Sequence, residues 1–152
     1  MGDAERAGRL ALLATARERG MREMARTWVQ PMVHAERLAD EALIEGILDM
    51  FARRTPRQFA GQIEALLARP DATDVLRAVA CPALILCGRE DGWAPPAQHD
   101  EMAALMPGSR LTILDRCGHM APMERPDAVG AALVEWLGAT RVTEGKDAQC
   151  AR

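Results

Sequence analysis

An acid and a base follow two short apolar segments in the carboxyl-terminal half of the sequence. Asp91 ends the polar segment 88–91, and His119 ends the segment 117–119. A carboxylate that hydrogen-bonds to one imidazole nitrogen fixes the tautomer and stabilises the imidazolium. The other nitrogen is then left to accept a proton from a nucleophile or from water. Asp91 and His119 are therefore candidates for two members of a catalytic triad.

The two apolar segments are typical of β-strands. Residues 82–87 and 110–115 are short, rich in Leu and Ile, and bounded by Gly or Pro. Residues 96–106 between them have a helical pattern that ends before a Pro-Gly pair. A strand, a helix and a strand make two parallel strands, whose carboxyl ends lie at one edge of the sheet. Since neighbouring strands lie about 4.8 Å apart, we expect the two side chains to lie within hydrogen-bonding reach.

Four short motifs surround these residues and form a combined pattern. They are Gly-Arg-Glu-Asp-Gly-Trp-Ala-Pro at 88–95, Cys-Gly-His at 117–119, Glu-Arg-Pro at 124–126 and Glu-Trp-Leu at 135–137. The pattern resembles the carboxyl-terminal part of an α/β-hydrolase, closely over residues 69–137 and loosely, as a lid, over the preceding helices. In that family the chain order is nucleophile, acid, histidine. The resemblance implies that Asp91 orients the general base His119 during hydrolysis of an ester, lactone or related acyl bond.

The nucleophile of that family does not have a counterpart in this sequence. The family carries it on a Gly-x-Ser-x-Gly turn, and no such motif occurs here. Ser109, the only serine, precedes the second strand and is expected about 20 Å from the imidazole of His119. Cys87 is more consistent with a small packed core residue than with a nucleophile. We expect a missing upstream segment to supply the nucleophile, and this truncated chain to be inactive alone.

Two other interpretations stay open. The chain could be a non-catalytic remnant or a helical interaction domain that self-associates through an exposed sheet edge. Alternatively, the fold could serve different chemistry, because some members of the family use an aspartate nucleophile to open epoxides or remove halides, and others cleave carbon–carbon bonds. The motif Cys117-Gly118-His119 resembles the last group to some extent.

The chain divides into three predicted parts. Residues 1–80 form a helical, lid-like segment, and residues 81–137 form a β-α-β-α unit with two parallel strands. Residues 138–152 are polar and are predicted to be a disordered tail. The fold class is α/β, as a partial α/β-hydrolase fold.

Several signals place the helices of the first part. Gly20 is typical of a helix end, and Asp40 of a helix start. Thr55, with Pro56 and Gln58, has the form of a capping box with proline at the first helical position. Four or five helices are therefore expected before the first strand.

Apolar residues beside the acid and the base are candidates for substrate binding. Trp93 follows Asp91 closely, while Met120 and Met123 follow His119, and each could line a pocket for an apolar ester-like substrate or simply pack. Glu124 has two interpretations as well. It could support the histidine loop through backbone hydrogen bonds, or pair with Arg125.

Composition excludes several classes of partner. A net charge of −3 with mixed signs gives no basic surface for nucleic acid or anionic lipid. The amino terminus has no signal-peptide core, and no segment approaches the roughly 20 apolar residues of a spanning helix, so a cytoplasmic protein is expected. The four cysteines lack the paired spacing of zinc sites. We expect no metal and no cofactor.

Overall fold

The computed structural model describes residues 3–147 of the chain. Two compact units are present, Met1–Asp71 and Ala72–Arg152. The division falls earlier in the chain than the boundary expected after residue 80. The physical reason is that the short helix beginning at Thr73 contacts the helix that joins the two strands.

The first unit is helical. Its elements are α1 (Asp3–Arg19), α2 (Met21–Val29), a 3-10 helix (Ala35–Ala39), α3 (Glu41–Ala52) and α4 (Pro56–Leu67). Helix α1 contacts α2 and α4, and α2 contacts α3. Apolar side chains between these helices form a buried core, made of Leu13, Ala16, Met21, Met24, Phe59 and Ile63. Trp28 and Phe51 pack against this core with their ring centroids 4.7 Å apart.

The predicted helix ends of this unit are confirmed. Gly20 follows α1 with φ of 88°, a left-handed conformation that suits glycine. The Asp40 side chain accepts a hydrogen bond from the backbone N–H of Leu43 at 3.1 Å. Thr55 and Gln58 form a complete capping box with Pro56 at the start of α4. Local sequence therefore specifies these boundaries.

The second unit carries the sheet. Its elements are α5 (Thr73–Arg77), β1 (Ala83–Gly88), α6 (Pro96–Leu105), β2 (Ser109–Leu114), α7 (Ala121–Glu124) and α8 (Pro126–Asp147). The two strands are parallel, and their register pairs Ala83 with Ser109 and Gly88 with Leu114. The predicted fold class, a helical segment followed by a β-α-β-α unit, is confirmed. Both strands end at the same edge of the sheet.

Helix α8 is longer than expected. The sequence predicts a disordered tail from residue 138, whereas the helix continues to Asp147. The residues of this region include good helix formers, among them Ala139, Arg141 and Glu144, and no proline interrupts them. Helix α8 therefore covers residues 138–147 of the predicted tail, and residues 148–152 lie outside the described residues. Across the described part of the chain, none of the helices combines the length and the apolar character that a membrane span requires.

Candidate active site

The structure brings Asp91 and His119 together at the carboxyl ends of the two strands. Asp91 follows β1, His119 follows β2, and Nδ1 of the imidazole lies 2.8 Å from Oδ2 of the carboxylate. The predicted proximity of the two side chains is therefore confirmed. An ionised carboxylate can only accept, so Nδ1 must carry the proton in this contact and Nε2 is the basic nitrogen of the neutral ring.

Backbone hydrogen bonds fix the carboxylate of Asp91. Its Oδ1 accepts from the N–H groups of Trp93 at 2.9 Å and Ala94 at 2.8 Å. The Asp91 side chain is 5% exposed, whereas that of His119 is 39% exposed. With Oδ1 held by its own loop, Oδ2 faces the imidazole, and the more exposed ring is accessible to a reacting group.

The loops that carry the acid and the base are hydrogen-bonded to each other. The N–H of Glu90 donates to the carbonyl oxygen of Cys117 at 3.0 Å, and the N–H of Cys117 donates to Oε2 of Glu90 at 3.0 Å. Arg89 N–H also donates to the carbonyl oxygen of Leu114 at 2.9 Å. These paired bonds fix the separation of the two loops, because each backbone donor and acceptor has one preferred distance and direction.

At Gly88 the end of β1 approaches the backbone of Cys117 and Gly118 closely. A Cβ at this position would lie 2.1 Å from the carbonyl oxygen of Cys117 and 2.3 Å from that of Gly118. Both neighbours are backbone atoms, which cannot turn away as a flexible side chain can. The segment 88–91 is called the acid loop below, and the segment 117–119 the histidine loop. Their close contact requires glycine at the end of β1.

We expect Gly88→Ala to lower the free energy of unfolding by about 3 kcal/mol, because the added methyl forces the loops apart. Gly130→Ala in α8 is the matched control, since nothing lies within 4 Å of its Cβ position; we expect it to stabilise by about 0.5–1 kcal/mol. Urea denaturation monitored by circular dichroism measures both effects. Equal stability of the two variants would contradict the close approach.

Two buried thiols, Cys87 and Cys117, lie shortly before the acid and the base in the chain. Cys87 is 4% exposed and Cys117 is fully buried. Burial raises the pKa of the Cys87 thiol, and burial together with the nearby Glu124 carboxylate raises the pKa of Cys117 to about 11. Both groups are protonated at neutral pH, and the thiolate is the reactive form. These features support the interpretation of Cys87 as a core residue.

The raised pKa of Cys117 predicts a loss of stability in alkali. Its pKa is 9.0 in the unfolded reference and about 11 in the folded protein, so between these values the unfolded chain has released a proton that the folded chain retains. The contribution of Cys117 to folding stability is therefore fully present below about pH 9 and is lost as the pH rises toward 11. We expect Cys117→Ala to remove part of this loss. The measurement is the urea midpoint of the wild type and of Cys117→Ala from pH 8 to pH 11. If Cys117 does not contribute to the loss of stability, the two midpoints will change with pH in parallel.

The predicted substrate-binding residues lie near the acid and the base in sequence, and all three are half-buried. Trp93 donates its backbone N–H to Asp91, and Met120 precedes α7, which contains Met123. A cavity of about 520 Å³ lies at the opposite ends of the strands, where Cys81, Ser109 and Arg110 contribute to its lining. Trp93, Met120 and Met123 do not line it, so their contact with substrate stays a prediction.

The structure decides between the two interpretations of Glu124. This side chain is 1% exposed, and the backbone N–H of Gly118 lies 3.0 Å and 3.1 Å from its two carboxylate oxygens. Arg125 instead donates to the carbonyl oxygen of Asp115 at 3.2 Å. Glu90 likewise accepts a hydrogen bond from a backbone N–H, that of Cys117. The sequence gives no signal for this role beyond the place of Glu90 next to Asp91.

Within the described residues, no group of three or more His, Cys, Asp or Glu side chains could hold a metal ion.

Comparison with known proteins places this chain in a family. The family model described as "Alpha/beta hydrolase family" matches residues 1–132. Among solved structures, an esterase from Thermogutta terrifontis is 28% identical with a TM-score of 0.82, over 92% of this chain and 52% of that one. The enol-lactonase from Burkholderia xenovorans LB400 is 27% identical with a TM-score of 0.76, over 85% of this chain and 49% of that one.

The names of the curated relatives indicate a third kind of substrate, besides those of the esterase and the enol-lactonase. A 2-hydroxy-6-oxononadienedioate/2-hydroxy-6-oxononatrienedioate hydrolase from Cupriavidus pinatubonensis is 29% identical over 108 residues, which is 68% of this chain and 37% of that relative. A protein of the same name from a Pseudomonas species is 28% identical over 118 residues, or 76% of this chain and 41% of the relative. The chain thus spans about two fifths of these curated relatives and about half of the solved structures.

Proposed function

Because this chain belongs to the α/β-hydrolase family, we propose that it is the carboxyl-terminal part of a hydrolase acting on an ester, lactone or related acyl bond. The observation that carries the proposal is the contact of 2.8 Å between Nδ1 of His119 and Oδ2 of Asp91. A buried carboxylate that orients an accessible imidazole is the acid and base arrangement that nucleophilic acyl transfer requires.

In the proposed reaction, Nε2 of His119 takes the proton of a nucleophile supplied by an upstream segment. The nucleophile attacks the acyl carbon, and His119 returns the proton to the leaving alcohol or enol oxygen. Water then attacks the acyl-enzyme and loses a proton to His119, and His119 returns that proton to the nucleophile as the bond to the acyl carbon breaks and the acid product is released. Asp91 stays ionised throughout and stabilises the imidazolium through its hydrogen bond to Nδ1.

The proposed substrate is a small apolar molecule. The names of the esterase and the enol-lactonase support an acyl bond to oxygen as the target. Trp93, Met120 and Met123 are proposed to contact its apolar part beside the catalytic pair, and the helical first unit is proposed to serve as a lid.

The direct test is to translate the coding DNA upstream of Met1 in the same reading frame. The proposal expects an open frame that encodes further strands and a nucleophile turn such as Gly-x-Ser-x-Gly. The product of that longer frame is called the extended enzyme below. We expect it to hydrolyse p-nitrophenyl esters, and this chain alone to show no turnover. A stop codon close upstream would contradict the proposal and favour the non-catalytic interpretation.

A second candidate reaction is hydrolysis of a carbon–carbon bond in a 2-hydroxy-6-oxo acid. The names of the curated relatives favour it. Assays of the extended enzyme on p-nitrophenyl butyrate and on a 2-hydroxy-6-oxo-dienoate would separate the two candidates. A kcat/KM at least about 100-fold higher on the dienoate, or about 2.7 kcal/mol in transition-state binding, would favour the carbon–carbon reaction over the ester reaction.

A further inference from the structure

Glu124 is a buried charged side chain that the proposed reaction does not use. It lies at the end of α7, five residues after His119, with 1% of its surface exposed. Burying a carboxylate is costly unless hydrogen bonds compensate it, so a buried glutamate at the end of a one-turn helix requires an explanation. The backbone N–H of Gly118, between its two carboxylate oxygens at 3.0 Å and 3.1 Å, provides part of that compensation.

A second carboxylate holds the preceding amide. Glu90 Oε2 accepts from the N–H of Cys117 at 3.0 Å, while the Glu90 N–H donates to the Cys117 carbonyl oxygen at 3.0 Å. Two consecutive amides before His119 are thus each bound by a charged acceptor, and hydrogen bonds to charged groups are stronger and shorter than neutral ones. Glu90, in the acid loop, and Glu124, in α7, therefore both bind the backbone of the histidine loop.

We propose that Glu124 is a positioning residue that holds the histidine loop through Gly118, so that Nδ1 of His119 stays on the carboxylate of Asp91. The inference rests on the proposed function for its importance in catalysis, but its geometric content concerns this chain alone. Glu124 does not need to touch substrate. Its carboxylate acts by fixing the peptide group between Cys117 and Gly118, and Glu90 fixes the preceding peptide group through the N–H of Cys117.

The test follows the Nδ1 proton of His119 by nitrogen-15 and proton NMR in the 152-residue chain. The sequence has three histidines, so His34→Gln and His99→Gln variants assign the signals. A proton held between Nδ1 and a buried carboxylate exchanges slowly with water. We expect Glu124→Ala to speed this exchange about tenfold or more, the factor that corresponds to weakening one charged hydrogen bond.

Two further variants distinguish positioning from a general contribution to folding. Glu124→Gln keeps a carbonyl oxygen as acceptor for Gly118 N–H, and we expect exchange within about threefold of wild type. Glu135→Ala is the control, because Glu135 is an exposed glutamate of α8 that pairs with Arg110 at 2.7 Å; we expect unchanged exchange. If Glu124→Ala does not fold, Glu124→Asp, which withdraws the carboxylate by one methylene, is expected to show the same faster exchange.

A folded Glu124→Ala variant in which the Nδ1 proton of His119 exchanges at the wild-type rate would overturn the positioning role, even if urea showed lower stability. If the alanine variant does not fold, the same rate in Glu124→Asp would overturn it. The exchange rate is measured without turnover. Faster exchange with an extended enzyme that hydrolyses nothing would leave the positioning role standing and remove the proposed function. Wild-type exchange of that proton, together with an extended enzyme that hydrolyses its substrate, would remove the positioning role and leave the proposed function standing. In an active extended enzyme we expect Glu124→Ala to lower kcat while KM changes less than about threefold, since Glu124 does not bind substrate.

Discussion

His119→Ala is expected to lower kcat/KM of the extended enzyme by about 10⁴-fold or more, because no group is then left to take the proton of the nucleophile. The imidazole is 39% exposed and its Nδ1 bonds to Asp91, so its removal leaves no large cavity and the fold is expected to persist. Initial rates on a p-nitrophenyl ester and a urea titration of the same preparation measure the two effects separately.

His99→Ala is the matched control for this prediction. Nδ1 of His99, in α6, lies 3.2 Å from the carbonyl oxygen of Pro95, the N-cap residue of that helix. The variant therefore removes an imidazole from the same unit without changing Asp91. We expect its kcat/KM to stay within about threefold of wild type. Full activity of His119→Ala, or an equal loss in both variants, would remove His119 from the mechanism.

Asp91→Asn is expected to lower kcat/KM by about 10⁴-fold while leaving the fold intact. The asparagine carbonyl oxygen can still accept from the N–H groups of Trp93 and Ala94, so the loop retains its hydrogen bonds. The amide nitrogen, however, would face Nδ1 of His119 as a donor. The neutral imidazole would then accept at Nδ1 and carry its proton on Nε2, which is the wrong tautomer for a base.

Asp100→Asn is the control for the acid. Asp100 is an exposed carboxylate of α6 in the same unit, and its variant removes one negative charge without changing the partner of His119. Rates on the same ester would show a large loss for Asp91→Asn and less than about a twofold change for Asp100→Asn. A wild-type rate in Asp91→Asn would remove the acid assignment.

The sequence predicted the site because its elements are short and locally specified. Each strand is displaced from its predicted bounds by one residue, with β1 at Ala83–Gly88 and β2 at Ser109–Leu114. A parallel pair joined by one helix leaves a single arrangement for the loops after the strands. The contact between Asp91 and His119 follows from that topology and needs no knowledge of side-chain packing.

The supporting contacts could not be predicted in the same way. Whether Glu124 accepts from Gly118 or pairs with Arg125 depends on how α7 turns the chain after His119, and α7 is one turn long with weak sequence signals. The bond between Glu90 and Cys117 requires the exact approach of two loops, which Gly88 permits. Helix α8 was underestimated for another reason, because polar composition after residue 138 resembles a tail although its residues favour helix.

The most direct test of the central claim, that Asp91 acts through His119, is the rate of the double variant Asp91→Asn/His119→Ala in the extended enzyme. An orienting group has nothing to orient once the base is gone, so the double variant is expected to be as active as His119→Ala alone, with a ratio within about threefold. Independent contributions would instead multiply, and a double variant at least about 100-fold slower than His119→Ala would contradict the account.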